Sequence, residues 1–357
     1  MLPAALGVVG ALLGGPATGQ APPGAAEGTV VTDMSRACWH VFQAKNGDYW
    51  FGSDGQGVYR WDGKTLVNYT TTDGLSGNRI RGIQGDKAGN VYFTTFGGIC
   101  RFDGRVFRTL PVTLDEGAGG GWRLDPDDLW FPWFTEMPTA PSTPDSAPVQ
   151  GPYRFDGTTL YHLRLPKSDL ETEGPRPRWS PYEVYSIYRD SRGHVWIGTG
   201  EFGVCRYDGR SFGWLYEQHL TIAPNGGSFG IRSVTEDKDG AFWICNTRFR
   251  FRVQPENEGG KVVYTREAGI APQLTGGKEV YFQGAEADAK GDLWLSPYGG
   301  GIWRYDGAGM THYPVKDEGR DTHVFRVFKD NAGAMWLGTP TAGPYRFDGE
   351  AFVPFRP

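Results

Sequence analysis

Basic charge is in short supply: Lys and Arg number 36 against 41 Asp and Glu, for a net charge of -5. A general nucleic-acid binder needs a surplus of Lys and Arg to displace phosphate counterions, so that class is set aside. Cysteine is scarce, with four residues and no CxxC or Cys/His spacing, which leaves no metal site to expect. The sequence also has no GxSxG, no HExxH and no phosphate loop, disfavouring serine hydrolases, zincins and nucleotide enzymes. No cofactor is implied. The one apolar run is the N-terminal MLPAALGVVGALLGGPATG, too short and too rich in glycine for a membrane span. It is expected to be a secretory signal peptide over residues 1–21, with a small-residue cleavage region around Ala17 to Ala21 and a flexible leader over 22–36. No Lys or Arg precedes that run, and no cysteine at the cleavage region supports a lipid anchor. A periplasmic or secreted bacterial chain, monomeric and without a membrane span, is the expectation.

What the chain has in quantity is turn and strand chemistry. Gly 54, Pro 25 and 14% aromatics favour many turns and short aromatic-rich strands, hence an all-β fold. One stretch, GHVWIGTGEFGVCRYDGRSF from Gly193 to Phe212, recurs with variations along the chain. Clear copies are GDYWFGSDGQGVYRWDG, GNVYFTTFGGICRFDG, GDLWLSPYGGGIWRYDG and GAMWLGTPTAGPYRFDG, with a third copy interrupted after DDLWFPW and a fifth that lacks the Asp-Gly turn. The anchor aromatics Trp50, Tyr92, Trp130, Trp196, Trp243, Trp294 and Trp336 mark seven repeats, spaced by about 40 to 50 residues except across the third. That period with four strands per unit predicts a single seven-bladed β-propeller of four-stranded antiparallel blades over residues 37–356. The blades are expected near 37–70, 78–110, 120–165, 182–216, 229–266, 279–315 and 322–356. Inner strands carry apolar pairs three apart, such as Val184/Ile187 and Val324/Val327. A period-2 strand sends these to opposite faces, as a blade between two neighbours requires.

Most of the conspicuous residues then read as scaffold. Asp62, Asp103, Asp156, Asp208, Asp306 and Asp348 each precede Gly in a tight hairpin, where Asp-Gly supplies positive φ and local hydrogen bonding. Asp86, Asp190, Asp237 and Asp330 begin DxxG turns, and His194 belongs to one of them. Cys100 and Cys205 occupy the repeat position held elsewhere by Tyr59, Tyr153, Trp303 and Tyr345, so buried free thiols are expected.

GHVWIGTGEFGVCRYDG and GAMWLGTPTAGPYRFDG, each preceded by an inner strand ending in Asp, resemble the two-component regulator propeller repeat over about residues 37 to 356. The resemblance implies a seven-bladed propeller of the kind found in the periplasmic part of hybrid sensor kinases, where such domains are linked to sensing carbohydrate. This sequence holds one propeller's worth of repeats and no kinase segment, so signalling is not implied by the repeats alone. Virginiamycin B lyase propellers are more distantly similar in their G-x-hydrophobic-W strands, and imply that the scaffold can host an enzyme.

Strand order predicts which face works. The DxxG and Asp-Gly turns trim one face of the disc, so Pro132 to Gly151, Pro166 to Pro181, Glu217 to Gly230, Glu267 to Lys278 and Val315 to Thr322 crowd the other. Counting back from the Asp that ends each inner strand places Arg79, Glu183, Gly230, Tyr281 and His323 seven residues before it, and Trp39, Arg81, Tyr185, Arg232, Gln283 and Phe325 five before it. Trp122 and Arg123 hold a similar place in the irregular third repeat, and Phe96, Phe202, Phe249 and Tyr298 follow the GxxW strands. Guanidinium groups bind anions and aromatic faces cover sugar rings. The expected ligand-binding set is therefore Arg79, Arg81, Arg123, Glu183, Tyr185, Arg232, Tyr281, His323, Trp39 and Phe202. The partner is a small anionic molecule or an oligosaccharide at the mouth of the central channel. Two alternatives stay open: a polysaccharide lyase using His323, Tyr281, Tyr185 and Glu183 as acid and base, and a platform for a protein partner.

Overall fold

The computed structural model describes residues 24–115, 122–134, 150–171, 180–221, 230–277, 279–298 and 300–357. Its strands fall into successive antiparallel units arranged as a β-propeller. Blade 1 is Cys38–Gln43, Tyr49–Ser53, Val58–Trp61 and Leu66–Tyr69; blade 2 is Ile80–Gly85, Val91–Thr95, Gly98–Phe102 and Phe107–Thr109. Blade 4 (Val184–Arg189, Val195–Thr199, Val204–Tyr207, Phe212–Leu215), blade 6 (Phe282–Ala287, Leu293–Pro297, Ile302–Tyr305, Met310–Tyr313) and blade 7 (Arg326–Lys329, Met335–Gly338, Tyr345–Phe347, Phe352–Pro354) repeat this meander. The N-terminal Thr29–Val31 adds a fifth, outermost strand antiparallel to Leu66–Tyr69.

Two blades depart from the pattern. In blade 3 the described strands are Leu129–Phe131, Tyr153–Phe155 and Leu160–Leu163, flanked on the outside by Val112–Asp115 in parallel with Leu160–Leu163. No inner strand is assigned there among the described residues. Blade 5 is Val234–Glu236, Phe242–Ile244, Phe249–Glu258 and Lys261–Ala268. Its last two strands form a long hairpin that turns at Gly259 and Gly260, both at positive φ, where the other repeats have Asp-Gly. The tip of this hairpin clamps blade 4. Trp214 N donates to Gly260 O at 2.9 Å, and the fully buried guanidinium of Arg206 gives two hydrogen bonds to Asn257 Oδ1 and one to Gln254 O.

The repeat motif explains why each blade folds as it does. In blades 4, 5, 6 and 7 the Asp that ends the inner strand takes backbone N–H groups of its turn on one oxygen and the indole N–H six residues later on the other: Asp190–Trp196 2.9 Å, Asp237–Trp243 2.8 Å, Asp288–Trp294 3.0 Å, Asp330–Trp336 2.9 Å. Tyr92 donates to Asp86 in the same way in blade 2. Burying the large ring against the next blade therefore leaves no orphan donor. Blade 3 has Leu124 at that place, and Trp130 Nε1 is buried without a partner. Each Asp-Gly carboxylate accepts from the N–H groups two and three residues on, as Asp208 does from Arg210 and Ser211. Those carboxylates are turn caps. Among the described residues no group of His, Cys, Asp and Glu has the arrangement to hold a metal ion.

Hydrogen bonds cross every seam. Gly55 N to Asn78 O, Gln84 Nε2 to Trp130 O, Val184 N to Trp133 O, Ile231 N to Thr199 O, Asn246 N to Phe282 O and Gln283 Nε2 to Val324 O join blades 1 through 7 in order. Thr339 N to Cys38 O, 2.7 Å, joins blade 7 to blade 1, and Tyr49 OH of blade 1 donates to Asp330 of blade 7 at 2.7 Å. The ring is thus closed by these hydrogen bonds together with packing, Trp336 being seated against Tyr49, Phe51 and Phe355. All four cysteines are buried and unpaired, and burial pushes the thiols of Cys38, Cys205 and Cys245 up.

Candidate functional site

A repeated irregularity of the inner strands builds the site. In blades 1, 2, 4 and 6 the pairing of inner and second strands skips one residue: Trp39, Arg81, Tyr185 and Gln283. Each is the residue five before the terminal Asp or its counterpart. A β-bulge leaves such a residue out of the ladder and re-aims its side chain. Three of the four, Trp39, Arg81 and Tyr185, are turned into the central channel.

There they join a closed collar. The guanidinium of Arg81 lies 4.8 Å from the ring of Trp39 and 4.7 Å from that of Phe96. Phe96 meets Phe134, which meets Tyr185, at centroid distances of 6.3 and 5.7 Å. Arg232 stands over Tyr185 at 4.9 Å and over Phe325 at 5.5 Å, and Phe325 returns to Trp39 at 4.7 Å. The collar encloses a cavity of about 340 Å³ whose lining also includes His40, Glu183, Ser233, Glu286 and Arg326. A second cavity of about 230 Å³ continues inward, and the two share His40, Arg81, Tyr185, Glu286, Arg326 and Val327. These shared residues form a neck between mouth and interior.

Charge in the channel is unevenly compensated. Arg81 pairs with Asp54 at 3.1 Å. Tyr185 OH donates to Glu183 Oε2 at 2.9 Å, and burial together with that carboxylate pushes the phenol up. Arg232 and Arg326 have no carboxylate within ion-pair distance among the described residues. Burial pushes the Glu286 carboxyl up to about 7 despite the opposing influence of Lys329 and Arg326. Burial, then Arg326 and Arg81, hold the His40 imidazole well below its usual range, so it is neutral.

The expected site residues separate into those the structure gathers and those it does not. Trp39, Arg81, Glu183, Tyr185 and Arg232 line the cavity, as do Phe96 and Phe325. Arg79 lies on the rim, its exposed side chain 4.0 Å from Asp54. His323 stands at the rim against the Gln283 amide, and partial desolvation of its ring, then Arg232 nearby, lowers its pKa. Tyr281 donates to Glu279 at 3.0 Å and faces a separate rim pocket with Tyr298, Trp303, His312 and Asp321. The four candidate acid-base residues therefore form one pair, Glu183 and Tyr185, with Tyr281 and His323 outside the cavity.

Three placements correct the sequence reading. Phe202 is core: its N–H folds back onto Thr199 Oγ1, and its ring packs on Tyr182 and Trp214. Trp122 is buried against Trp130, Tyr207 and Phe212, and its carbonyl accepts the Tyr207 hydroxyl. Arg123, exposed beside it, does not line the cavity. The error is one of register. Leu124, six before Trp130, stands at the place of the terminal Asp, so Trp122 and Arg123 sit at the turn end of the strand instead of the mouth. Their counterparts at the mouth fall in 116–121, outside the described residues, as do 135–149, 172–179, 222–229 and 278 of the expected mouth loops.

The sequence reading missed Phe134 of the collar, and His40, Glu286 and Arg326, one to three positions deeper. Gly230 has a structural task. Its φ is +79°, and a Cβ there would overlap the Tyr185 ring.

Comparison with known proteins bears on the scaffold. The model of the two component regulator propeller family matches residues 179–201, in the fourth blade. No match was found among curated proteins. An extracellular domain attributed to a hybrid two component system of B. thetaiotaomicron is 17% identical with a TM-score of 0.56; the match covers 89% of this chain and 39% of that one. Streptogramin B lyase is 14% identical, TM-score 0.57, over 88% of this chain and 94% of that one. Virginiamycin B lyase from Staphylococcus aureus is 15% identical, TM-score 0.56, over 88% and 96%. Among the described residues no helix is long and apolar enough to cross a membrane. The chain is a β-propeller that carries a two component regulator propeller repeat.

Proposed function

We propose that the protein is an exported ligand-binding propeller whose collared channel mouth takes an anionic or carbohydrate-like ligand. The observation that carries this reading is the closed ring of Trp39, Arg81, Phe96, Phe134, Tyr185, Arg232 and Phe325. Rings around a concave entrance suit a sugar face, and guanidinium groups among them suit a carboxylate or sulfate. The extracellular setting of the B. thetaiotaomicron domain, and the N-terminal apolar run, support export. The lyase alternative is less well served, because only Glu183 and Tyr185 of its four residues share the cavity and their mutual hydrogen bond engages both.

Titration calorimetry with matched uronate and neutral oligosaccharides tests the reading. Saturable binding without ultraviolet-absorbing unsaturated product supports it; product formation turns the assignment to a lyase, and no binding by any member overturns it. A protein partner would instead be captured equally by the wild type and by a variant lacking Arg81 and Arg232.

A further inference from the structure

We propose that the neck of the channel seats the anionic group of the ligand: a single carboxylate held by Arg326, with the ring that bears it enclosed by the collar above. This rests on the reading of the mouth as a ligand site and adds where, and with what charge, the ligand docks.

Among the described residues three arginines reach the channel, in different circumstances. Arg81 already has the Asp54 carboxylate at 3.1 Å. Arg232 is covered on its two sides by Tyr185 and Phe325. Arg326 follows Phe325 at the first paired position of its strand, opposite Gly338, and faces both cavities. Its guanidinium has no ion pair or hydrogen bond among the described residues. A half-buried guanidinium that faces the channel with no protein acceptor is open to one, and an anion arriving through the channel supplies it.

The neighbours of Arg326 leave its charge in place. Burial is the main influence on the guanidinium, lowering its pKa, with Arg232 adding to this and Glu286 opposing it. Glu286 stands outside ion-pair distance, and burial keeps a large share of its carboxyl protonated near neutrality. Lys329, the next cation along the strand, donates to Ala287 O at 2.7 Å. His40 is neutral and carries one N–H. Of the two guanidinium groups without a carboxylate, Arg232 is covered by the Tyr185 and Phe325 rings, so Arg326 is the one open to a monoanion in the neck. Its planar fork matches a carboxylate in bidentate geometry. The pyranose ring above would then lie at the level of Trp39, Tyr185 and Phe325.

The test uses the full chain, with D-glucuronate and D-galacturonate and their uncharged methyl esters as probes. The acid is expected to bind at least about tenfold more tightly than its ester. In Arg326→Met the acid should bind no better than the ester, whereas Arg232→Met should weaken both and keep the preference. Without ligand, Arg326→Met should melt no lower than the wild type, since it removes an unpaired charge. Persistence of the acid preference in Arg326→Met overturns the inference, and so does a fall of several degrees in its melting temperature. Loss of the preference in Arg232→Met alone moves the anionic group to the collar, overturning the inference while the proposed function stands. Binding of neither acids nor esters removes both.

Discussion

The guanidinium carbon of Arg232 lies 4.9 Å from the centroid of the Tyr185 ring, joining blades 4 and 5 across the channel mouth. Tyr185 can take that position because residue 230, on the approach to blade 5, has no side chain. Gly230→Ala should therefore displace the Tyr185 ring and strain the backbone, since φ is +79°. A loss of about 1–2 kcal/mol in chemical denaturation is expected, together with weaker ligand binding. Wild-type stability in the variant would show that the approach is looser than the structure has it.

The closing seam depends on one carboxylate. Asp330 accepts from Trp336 Nε1, from the turn N–H groups of Ala332 and Ala334, and from Tyr49 OH of blade 1. Asp288, its counterpart in blade 6, holds its own Trp and turn and has Arg304 of the same blade at 3.8 Å, but among the described residues it accepts no hydrogen bond from a neighbouring blade. Asp330→Ala should thus cost more than Asp288→Ala, by about 1 kcal/mol for the extra bond. Hydrogen exchange should quicken first in the strands on either side of that seam. Burial alone would raise the Asp330 carboxyl, but its hydrogen bonds outweigh this and its pKa is lowered. Its contribution is then complete above the unfolded carboxylate range and is lost as pH falls through the folded value.

The clamp between blades 4 and 5 rests on a buried cation with a neutral partner. Asn257→Ala removes the acceptor of two Arg206 hydrogen bonds and should cost about 2–4 kcal/mol. Adding Arg206→Met should recover part of that loss, because the stranded charge goes with it. A double-mutant cycle in denaturant measures the coupling. Strictly additive effects would contradict the clamp.

Glu286 makes the stability depend on pH in the opposite sense from Asp330. Its carboxyl is raised from the ordinary 4.5 to about 7, so between those values the folded chain holds a proton that the unfolded chain has lost. Stability from this group is full below the unfolded pKa and declines as pH rises through about 7. The ceiling on the loss is about 3 kcal/mol, and partial exposure of the side chain reduces it. Glu286→Gln should accordingly gain on the wild type as pH goes from 5 to about 8. A parallel pH profile for the two proteins would refute the burial.

The scaffold was legible because its chemistry is repeated: Asp, Trp and the Asp-Gly turn recur at fixed offsets and satisfy one another. The mouth was partly legible for the converse reason, since Trp39, Arg81, Tyr185 and Arg232 differ where their repeats otherwise agree. What the sequence hid was the bulge. Strict alternation would send Trp39 and His40 to opposite faces, whereas the bulge lets both line the channel. His40 and Arg326, one position deeper, and Glu286, two deeper again, were therefore passed over. In the third repeat no Asp marks the strand end, and the count slipped onto Trp122 and Arg123. Phe202 was misplaced because it follows its GxxW strand as Phe96 does, and Phe96 reaches the mouth, whereas the backbone at Phe202 folds its ring into the core.

The collar is proposed to bind a ring-bearing anionic or hydroxylated ligand. The most direct measurement is the affinity of the tightest-binding uronate oligosaccharide for the wild type and for Trp39→Ala/Arg232→Met, with melting temperatures alongside. Affinity should fall at least about tenfold, with both proteins cooperatively folded. Equal affinity in a folded variant would contradict the proposed binding.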